Sequence, residues 1–211
     1  MKIISHRGYW LDPKEKNTRK SFERSFSMGF GTETDIRDSN GKLVISHDMA
    51  SDNCLLVEDF FEIYNKYDNS LTLALNIKSD GLQDELKTLI EKYRVKNYFV
   101  FDMAVPDGVI YAEKKLEVYT RQSEYEPVPA YYDKAKGIWL DEFIDHWLTD
   151  DEIIQHIKNK KDICLVSPEL HNRVNSNEWF HYLKLEQRIG KNQLALCTDY
   201  PELADKYFNH G

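Results

Sequence analysis

The 211-residue sequence has little of several features that would point to particular classes of protein. It contains no apolar run near the roughly 18 residues of a membrane span, so we expect no integral membrane segment. Basic residues are outnumbered by acidic ones, 28 against 36, and the formal net charge is −8 at pH 7. This deficit of positive charge argues against nucleic acid, which binds through bulk phosphate charge.

Cysteine is also scarce. Cys54, Cys164 and Cys197 are odd in number and far apart, and the last two lie in apolar, strand-like runs. We therefore predict buried thiols rather than disulfides or a zinc site, as in a reducing compartment. The apolar run at the start of the sequence is too short for a secretory signal, which predicts a cytoplasmic location.

Eight short apolar runs, rich in β-branched or aromatic residues, alternate with amphipathic segments. They are Lys2–Ser5, Thr32–Arg37, Leu71–Lys78, Tyr98–Asp102, Val118–Gln122, Gly137–Asp141, Ile163–Pro168 and Leu194–Thr198. The alternation predicts right-handed βαβ units with parallel strands, and eight repeats predict an α/β fold of the (β/α)₈ TIM barrel type. Residues 1–211 contain no linker-like stretch, so we predict one domain.

Finer features are also predicted. Thr18 and Thr149 precede amphipathic segments and should cap helices. The short spacing between the fourth, fifth and sixth runs predicts short or irregular helices there. Asp38-Ser39-Asn40-Gly41 predicts a turn into an additional strand over 42–46.

Polar residues collect where the predicted strands end, which is the edge that forms the pocket of a TIM barrel. Glu33 and Asp35 lie two apart on one strand and so share a face, as do Asn76 and Lys78. Adjacent carboxylates repel unless a cation neutralises them, and Mg²⁺ or Ca²⁺ prefers such oxygens. Ion pairs with basic residues such as Arg7 and Lys78 explain the spacing equally well.

Two histidines also follow apolar runs. His6 and His47 have the side chain that donates and accepts protons near neutral pH, and cleavage of a phosphodiester needs one acid and one base. A single histidine at a strand end is more often structural. Arg7 and Lys78 could supply positive charge to a phosphate, or could balance the carboxylates. His171 stays undecided, and the other histidines are assigned to surface or packing.

Several motifs follow one another in a characteristic order. They are His6-Arg7-Gly8, Asn17-Thr18, Glu33-Thr34-Asp35, Asp38-Ser39-Asn40-Gly41-Lys42-Leu43-Val44, His47-Asp48, Leu75-Asn76-Ile77-Lys78 and Thr198-Asp199-Tyr200-Pro201. Their order and spacing resemble the glycerophosphodiester phosphodiesterase family. The motifs cover roughly the first 50 residues and two later patches, whereas residues 81–192 share only the strand-helix rhythm.

The resemblance implies a metal-dependent TIM-barrel hydrolase of lipid metabolism that splits a glycerophosphodiester, or a related polyol phosphodiester, into an alcohol and a phosphomonoester. It implies the following roles: His6 and His47 as acid and base, Arg7 and Lys78 as contacts to the small-molecule substrate, and Glu33, Asp35 and Asn76 as ligands of a divalent cation, Mg²⁺ or Ca²⁺.

Three positions depart from the family pattern. Asn76 stands where a carboxylate is usual, which lowers the ligand charge. Lys16 replaces an acidic residue, and the segment between His47 and Asn76 has no room for the insertion that covers the substrate in many relatives. Two alternatives therefore stay open: a lyase similar to sphingomyelinase D that forms a cyclic phosphate, and a non-catalytic barrel that binds phosphorylated ligands.

Overall fold

Strands and helices alternate along the chain in the computed structural model, which describes residues 1–174 and 176–210. Over these residues the strands are β1 (Lys2–His6), β2 (Gly31–Ser39), β3 (Lys42–Ile45), β4 (Leu73–Ile77), β5 (Tyr98–Phe101), β6 (Tyr119–Gln122), β7 (Gly137–Leu140), β8 (Asp162–Val166) and β9 (Leu194–Thr198). The α-helices are α1 (Arg19–Ser27), α2 (Val57–Tyr64), α3 (Gln83–Tyr93), α4 (Val105–Glu113), α5 (Asp150–Lys158), α6 (Ser176–Ile189) and α7 (Pro201–Asn209).

Eight of the strands form one parallel sheet in the order β5-β4-β2-β1-β9-β8-β7-β6. The ends of this path meet through a parallel bridge between Val100 and Val118, where Val100 N donates to Glu117 O at 2.8 Å. The first and last strands in sequence, β1 and β9, are neighbours. This nearly closed ring of parallel strands confirms the predicted (β/α)₈ barrel.

The additional strand is also confirmed. β2 extends to Ser39, and β3 pairs with it antiparallel, with Lys42 opposite Ser39. Asn40 and Gly41 between them have φ values of 50° and 74°, the left-handed conformation that two-residue hairpin turns require. The hairpin lengthens the barrel wall at the carboxyl end of β2 and brings His47 to that edge.

Helix starts follow the predicted capping residues. Thr18 accepts a hydrogen bond from Ser21 N at the start of α1, and Thr149 accepts one from Glu152 N at the start of α5. The prediction of short or irregular helices between the fourth, fifth and sixth runs is confirmed. Helix α4 has only nine residues, and residues 123–136, all described, contain no helix. None of the described helices has the length and apolar content that a bilayer crossing requires.

Aromatic rings and small side chains fill the barrel interior. Phe101 stacks on Trp139 with ring centroids 4.0 Å apart, and Phe99 stacks on Tyr119 at 3.7 Å. Cys164 and Cys197 pack in the same cluster as buried free thiols, as predicted, and burial raises the pKa of both. The packed interior leaves the open carboxyl end of the barrel, here called the mouth, as the place for chemistry.

Candidate active site

His6 lies at the end of β1, and two neighbouring strands hold its ring. Its Nδ1 is 2.7 Å from Oδ1 of Asp199, which follows β9, and its Nε2 is 4.0 Å from Oε2 of Glu33, its register partner on β2. An ionised carboxylate only accepts hydrogen bonds, so Nδ1 donates to Asp199. The remaining nitrogen of His6, Nε2, therefore lies on the side of the β2 carboxylates.

The backbone turns sharply directly after His6. Arg7 and Gly8 have positive φ values of 58° and 80°, and a Cβ at Gly8 would lie 2.5 Å from Oγ of Ser21. The turn directs Arg7 N to Glu33 Oε2 at 3.0 Å and places Arg7 Nε 3.1 Å from Asp35 Oδ2. Glycine is thus required at position 8 for the contacts that Arg7 makes.

Glu33 and Asp35 are both buried carboxylates of β2. Burial, and then the neighbouring charge of Asp35, raise the pKa of Glu33 to about 7, against the positive charges of His6, Arg7 and Lys78. Additional positive charge beside Glu33 would favour its ionised form. The pair is therefore suited to a cationic ligand.

Asn76 completes a set of three oxygen donors. It lies opposite Asp35 in the β2–β4 register, and its buried Oδ1 has no hydrogen-bond partner among the described residues. Asp35 Oδ1 is also buried and accepts no hydrogen bond from the described part of the chain, although Lys78 Nζ lies 3.5 Å away. Buried oxygens without partners are uncommon in folded proteins. Two carboxylates and an amide oxygen match the ligand preference of Mg²⁺ or Ca²⁺, so Glu33, Asp35 and Asn76 fit the predicted ion.

Lys78 joins this set to a chain of charges along the mouth. Its Nζ is 3.3 Å from Asp102 Oδ2, and the other oxygen of Asp102 is 2.5 Å from Arg121 Nη1. Arg37 donates to the Lys78 carbonyl at 2.9 Å. Lys78 therefore lies between two carboxylates, within reach of a phosphate bound near Asp35.

His47 lies beyond β3, on a loop at the edge of the mouth. Its side chain is 44% exposed, and its Nδ1 is 2.9 Å from Asp48 Oδ1. Together with Arg7 and Asn17 it lines a cavity of about 540 Å³. The structure thus brings His6, Glu33 and Asp35 into one cluster through Arg7, whereas His47 shares only the cavity with Arg7.

The sequence motifs alone do not predict two contacts at the site. Asp199 is part of the motif after the last predicted strand, and in the structure it holds His6, while Asn17 Nδ2 donates to Asp35 Oδ2 at 2.7 Å. The contact between Asp199 and His6 could be predicted from barrel closure, because the last strand of a closed barrel must lie beside the first. Asn17 has a φ of 59°, a conformation that a sequence pattern does not reveal.

No protein-family model matches the sequence, and no curated protein sequence matches it. Solved structures do match. A glycerophosphoryl diester phosphodiesterase from Parabacteroides distasonis is 13% identical, with a TM-score of 0.72 over 99% of this chain and 86% of its own. An Oleispira antarctica phosphodiesterase in complex with the product sn-glycerol-3-phosphate is 14% identical, with a TM-score of 0.69 over 98% of this chain and 96% of its own.

A glycerophosphodiester phosphodiesterase from Thermotoga maritima is 16% identical, with a TM-score of 0.66 over 97% of this chain and 96% of its own. The aligned regions span at least 97% of this chain and at least 86% of each of the three structures. At 13 to 16% identity, these likenesses show that the chain shares the (β/α)₈ barrel fold of glycerophosphodiester phosphodiesterases.

Proposed function

We propose that this protein is a divalent-cation-dependent phosphodiesterase that hydrolyses a glycerophosphodiester, or a related polyol phosphodiester, to an alcohol and a phosphomonoester. The observation that carries the proposal is the set of buried oxygens on Glu33, Asp35 and Asn76 beside His6 and Arg7. The fold that the chain shares with glycerophosphodiester phosphodiesterases supports the same reaction.

Glu33, Asp35 and Asn76 would hold the cation, Mg²⁺ or Ca²⁺. When bound, such an ion would supply positive charge that stabilises the phosphate and favours ionisation of the attacking water. Arg7 and Lys78 each already lie beside Asp35. A phosphate at this position would take over part of their charge, and the arginine fork can contact two of its oxygens.

The two histidines would move the protons. His6 donates through Nδ1 to Asp199, which leaves Nε2 free to take or give a proton on the Glu33 side. His47 pairs in the same way with Asp48 through Nδ1, and its Nε2 has no hydrogen-bond partner among residues 1–174 and 176–210. One ring would remove a proton from the attacking water as its oxygen bonds to phosphorus, and the other would protonate the alkoxide that leaves when its P–O bond breaks. Both assignments of acid and base are compatible with this arrangement.

The direct test is an assay on sn-glycero-3-phosphoethanolamine and bis(p-nitrophenyl) phosphate, with Mg²⁺ or Ca²⁺ and with EDTA. We expect turnover only with the cation, and a loss of roughly 10²–10⁴-fold in kcat for His6→Ala and for His47→Ala. His210→Ala, at an exposed position beside Asp205, is the matched control and should retain activity.

The products separate the alternatives. Phosphorus NMR should show a phosphomonoester, whereas a cyclic phosphate would indicate the lyase reaction. Calorimetry that detects binding of glycerol phosphate without any turnover would indicate a non-catalytic barrel. Activity that persists in both histidine variants would contradict the proposed roles of His6 and His47.

The third ligand has its own test. Asn76→Asp adds a carboxylate to the set and should tighten Mg²⁺ or Ca²⁺ binding by about tenfold or more, measured by titration calorimetry. Asn69→Asp is the control, because it adds the same charge at an exposed position before β4, at the opposite end of the barrel. Equal affinities of Asn76→Asp and the unmodified protein would show that another residue supplies the third oxygen.

A further inference from the structure

An apolar cleft lies beside the candidate active site and has no part in the proposed chemistry. It encloses about 430 Å³ between the loop after β1 and the start of α7, and its apolar walls are formed by Tyr9, Trp10, Leu11, Tyr200 and Leu203. Leu11 is 67% exposed and Leu203 is 55% exposed. Large apolar side chains that converge on one concave surface are typical of a ligand site.

The cleft is continuous with the position of His6. Asp199, whose carboxylate accepts the hydrogen bond of His6, also lines the cleft. Trp10 is anchored at the same point, because its indole N–H donates to the His6 carbonyl at 3.2 Å. A substituent of a phosphodiester held at His6 therefore has a direct route into the cleft.

Several polar groups in and beside the cleft are paired with one another, although Lys206, exposed on α7, also lines it. Tyr9 OH donates to Glu202 at 2.7 Å, and Lys16 lies 4.4 Å above the Trp10 ring and 3.7 Å from Asp199. Among the described residues, none of the buried polar side-chain atoms without a partner belongs to a residue that lines this cleft. Apart from the exposed Lys206, the free surface offers ring faces and aliphatic carbons, which favours an apolar ligand over a polar one.

We propose that this cleft binds the hydrocarbon chain of a phosphodiester substrate, so that the preferred substrates are glycerophosphodiesters that carry one acyl chain. The inference rests on the proposed function and names its substrate class. The contact of the cleft with Asp199 favours a chain attached to the substrate over a separate partner, because the cleft begins where the phosphate would be held.

The test compares sn-glycero-3-phosphoethanolamine with its 1-hexanoyl and 1-octanoyl derivatives, all below their micellar concentrations. Burial of each methylene group contributes a severalfold gain in binding at most, so kcat/KM for the octanoyl substrate should exceed that for the unacylated one by on the order of tenfold or more. Leu203→Ser and Leu11→Ser should remove most of this preference and leave the unacylated substrate unchanged. Ile110→Ser, at an exposed position of α4, is the control.

Several results would overturn the inference. They are equal kcat/KM for all three substrates, an equal loss on all three in Leu203→Ser, and a dimer in light scattering that Leu203→Ser dissociates. If none of the three substrates is hydrolysed, the proposed function fails, and the cleft is tested by calorimetry with butyl and octyl phosphate. Tighter binding of octyl phosphate that Leu203→Ser abolishes would support the chain site, and equal binding of the two would refute it.

Discussion

The two sides of the barrel mouth are similarly rich in charge but differ in how their buried polar atoms are satisfied. On the β1, β2 and β4 side, Asp35 Oδ1 and Asn76 Oδ1 are buried without a hydrogen bond to any described residue, and Arg7 Nε has only its ion pair with Asp35. On the β7, β8 and β9 side, the described residues include no such atom. A buried polar atom without a partner is costly, so it is expected where a ligand completes the set. We call the β1, β2 and β4 side unsatisfied and the β7, β8 and β9 side satisfied. On the satisfied side, the hydrogen bonds of the polar side chains hold the loops in place.

Glu142 shows what the satisfied side does. Its Oε1 accepts from His146 Nδ1 at 2.8 Å and from the backbone of Trp147 and Leu148, and its Oε2 accepts from Tyr182 OH at 2.7 Å. Burial opposes ionisation here, yet these hydrogen bonds hold the pKa of Glu142 below its ordinary value. Glu33 has the opposite shift. The protein itself stabilises the charge on Glu142. Glu142, His146 and Glu178 lie close enough together to hold a metal ion, but we interpret them as a structural cluster because the charge of Glu142 is already satisfied.

The largest expected contrast concerns two aspartates that each hold a histidine. Asp199, directly after β9, lies 2.7 Å from His6 at the end of β1 on the unsatisfied side, whereas Asp141 and His171, 2.6 Å apart, both belong to the satisfied side. Asp199→Asn should lower kcat by on the order of 10²–10⁴-fold, since the amide no longer fixes the proton on Nδ1 of His6. Asp141→Asn should change kcat by less than about threefold. Equal losses in steady-state assays would remove the distinction between the two sides.

The next contrast is in stability. Glu142→Ala leaves two backbone N–H groups and the Tyr182 hydroxyl buried without partners, so the free energy of unfolding should fall by roughly 3–5 kcal/mol in urea denaturation. Asn76→Ala removes an oxygen that has no hydrogen bond, and should cost less than about 2 kcal/mol. A larger loss for Asn76→Ala would mean that Asn76 has a structural role instead.

The third contrast is the response of stability to pH. The folded state keeps a proton on Glu33 up to about pH 7, whereas the unfolded state loses it near pH 4.5. Between these values the folded state binds more protons, so the free energy of unfolding should fall as pH rises, by up to about 3 kcal/mol. Glu33→Gln should remove this decline, and Glu85→Gln, exposed on α3, should not.

A divalent cation should act in the opposite direction. Binding requires the ionised form of Glu33, so Mg²⁺ or Ca²⁺ should raise Tm at pH 8 much more than at pH 5, and EDTA should reverse the effect. Glu33→Gln should weaken this response strongly. A Tm increase that is the same at both pH values would show that the ion binds elsewhere.

The eight-strand barrel could be predicted because a buried parallel strand appears in the sequence as an apolar run, whichever strands it pairs with. The ends of those runs also located Glu33, Asp35 and Asn76 on the mouth. The pairing of His6 with Asp199 joins residues 193 positions apart, and it depends on barrel closure rather than on local pattern. Likewise, no local signal separates Glu33 from Glu142, because the difference between them is the number of hydrogen-bond donors that the folded chain brings to each carboxylate.

The satisfied side also contains a chain of two imidazoles between two carboxylates. His146 contacts Glu142 through Nδ1 and His181 through Nε2, the latter at 2.8 Å, and His181 Nε2 is 2.5 Å from Asp150 Oδ1. Each carboxylate needs a proton from the ring beside it, and the contact between the two nitrogens needs a third. The pair therefore holds together only while it carries one positive charge.

The smallest expected effect follows from this shared charge. The hydrogen bond to Glu142 raises the pKa of His146 in the folded state. The stability that this hydrogen bond contributes is therefore fully present below the ordinary histidine pKa near 6.5. It is lost as the pH rises through the higher pKa of His146 in the folded state. The unfolding free energy should fall by about 1 kcal/mol or less above pH 6.5, a decline that His146→Ala flattens while leaving cation binding unchanged. An equally steep decline in His146→Ala, measured by denaturation across pH 6 to 9, would show that a group other than His146 causes it.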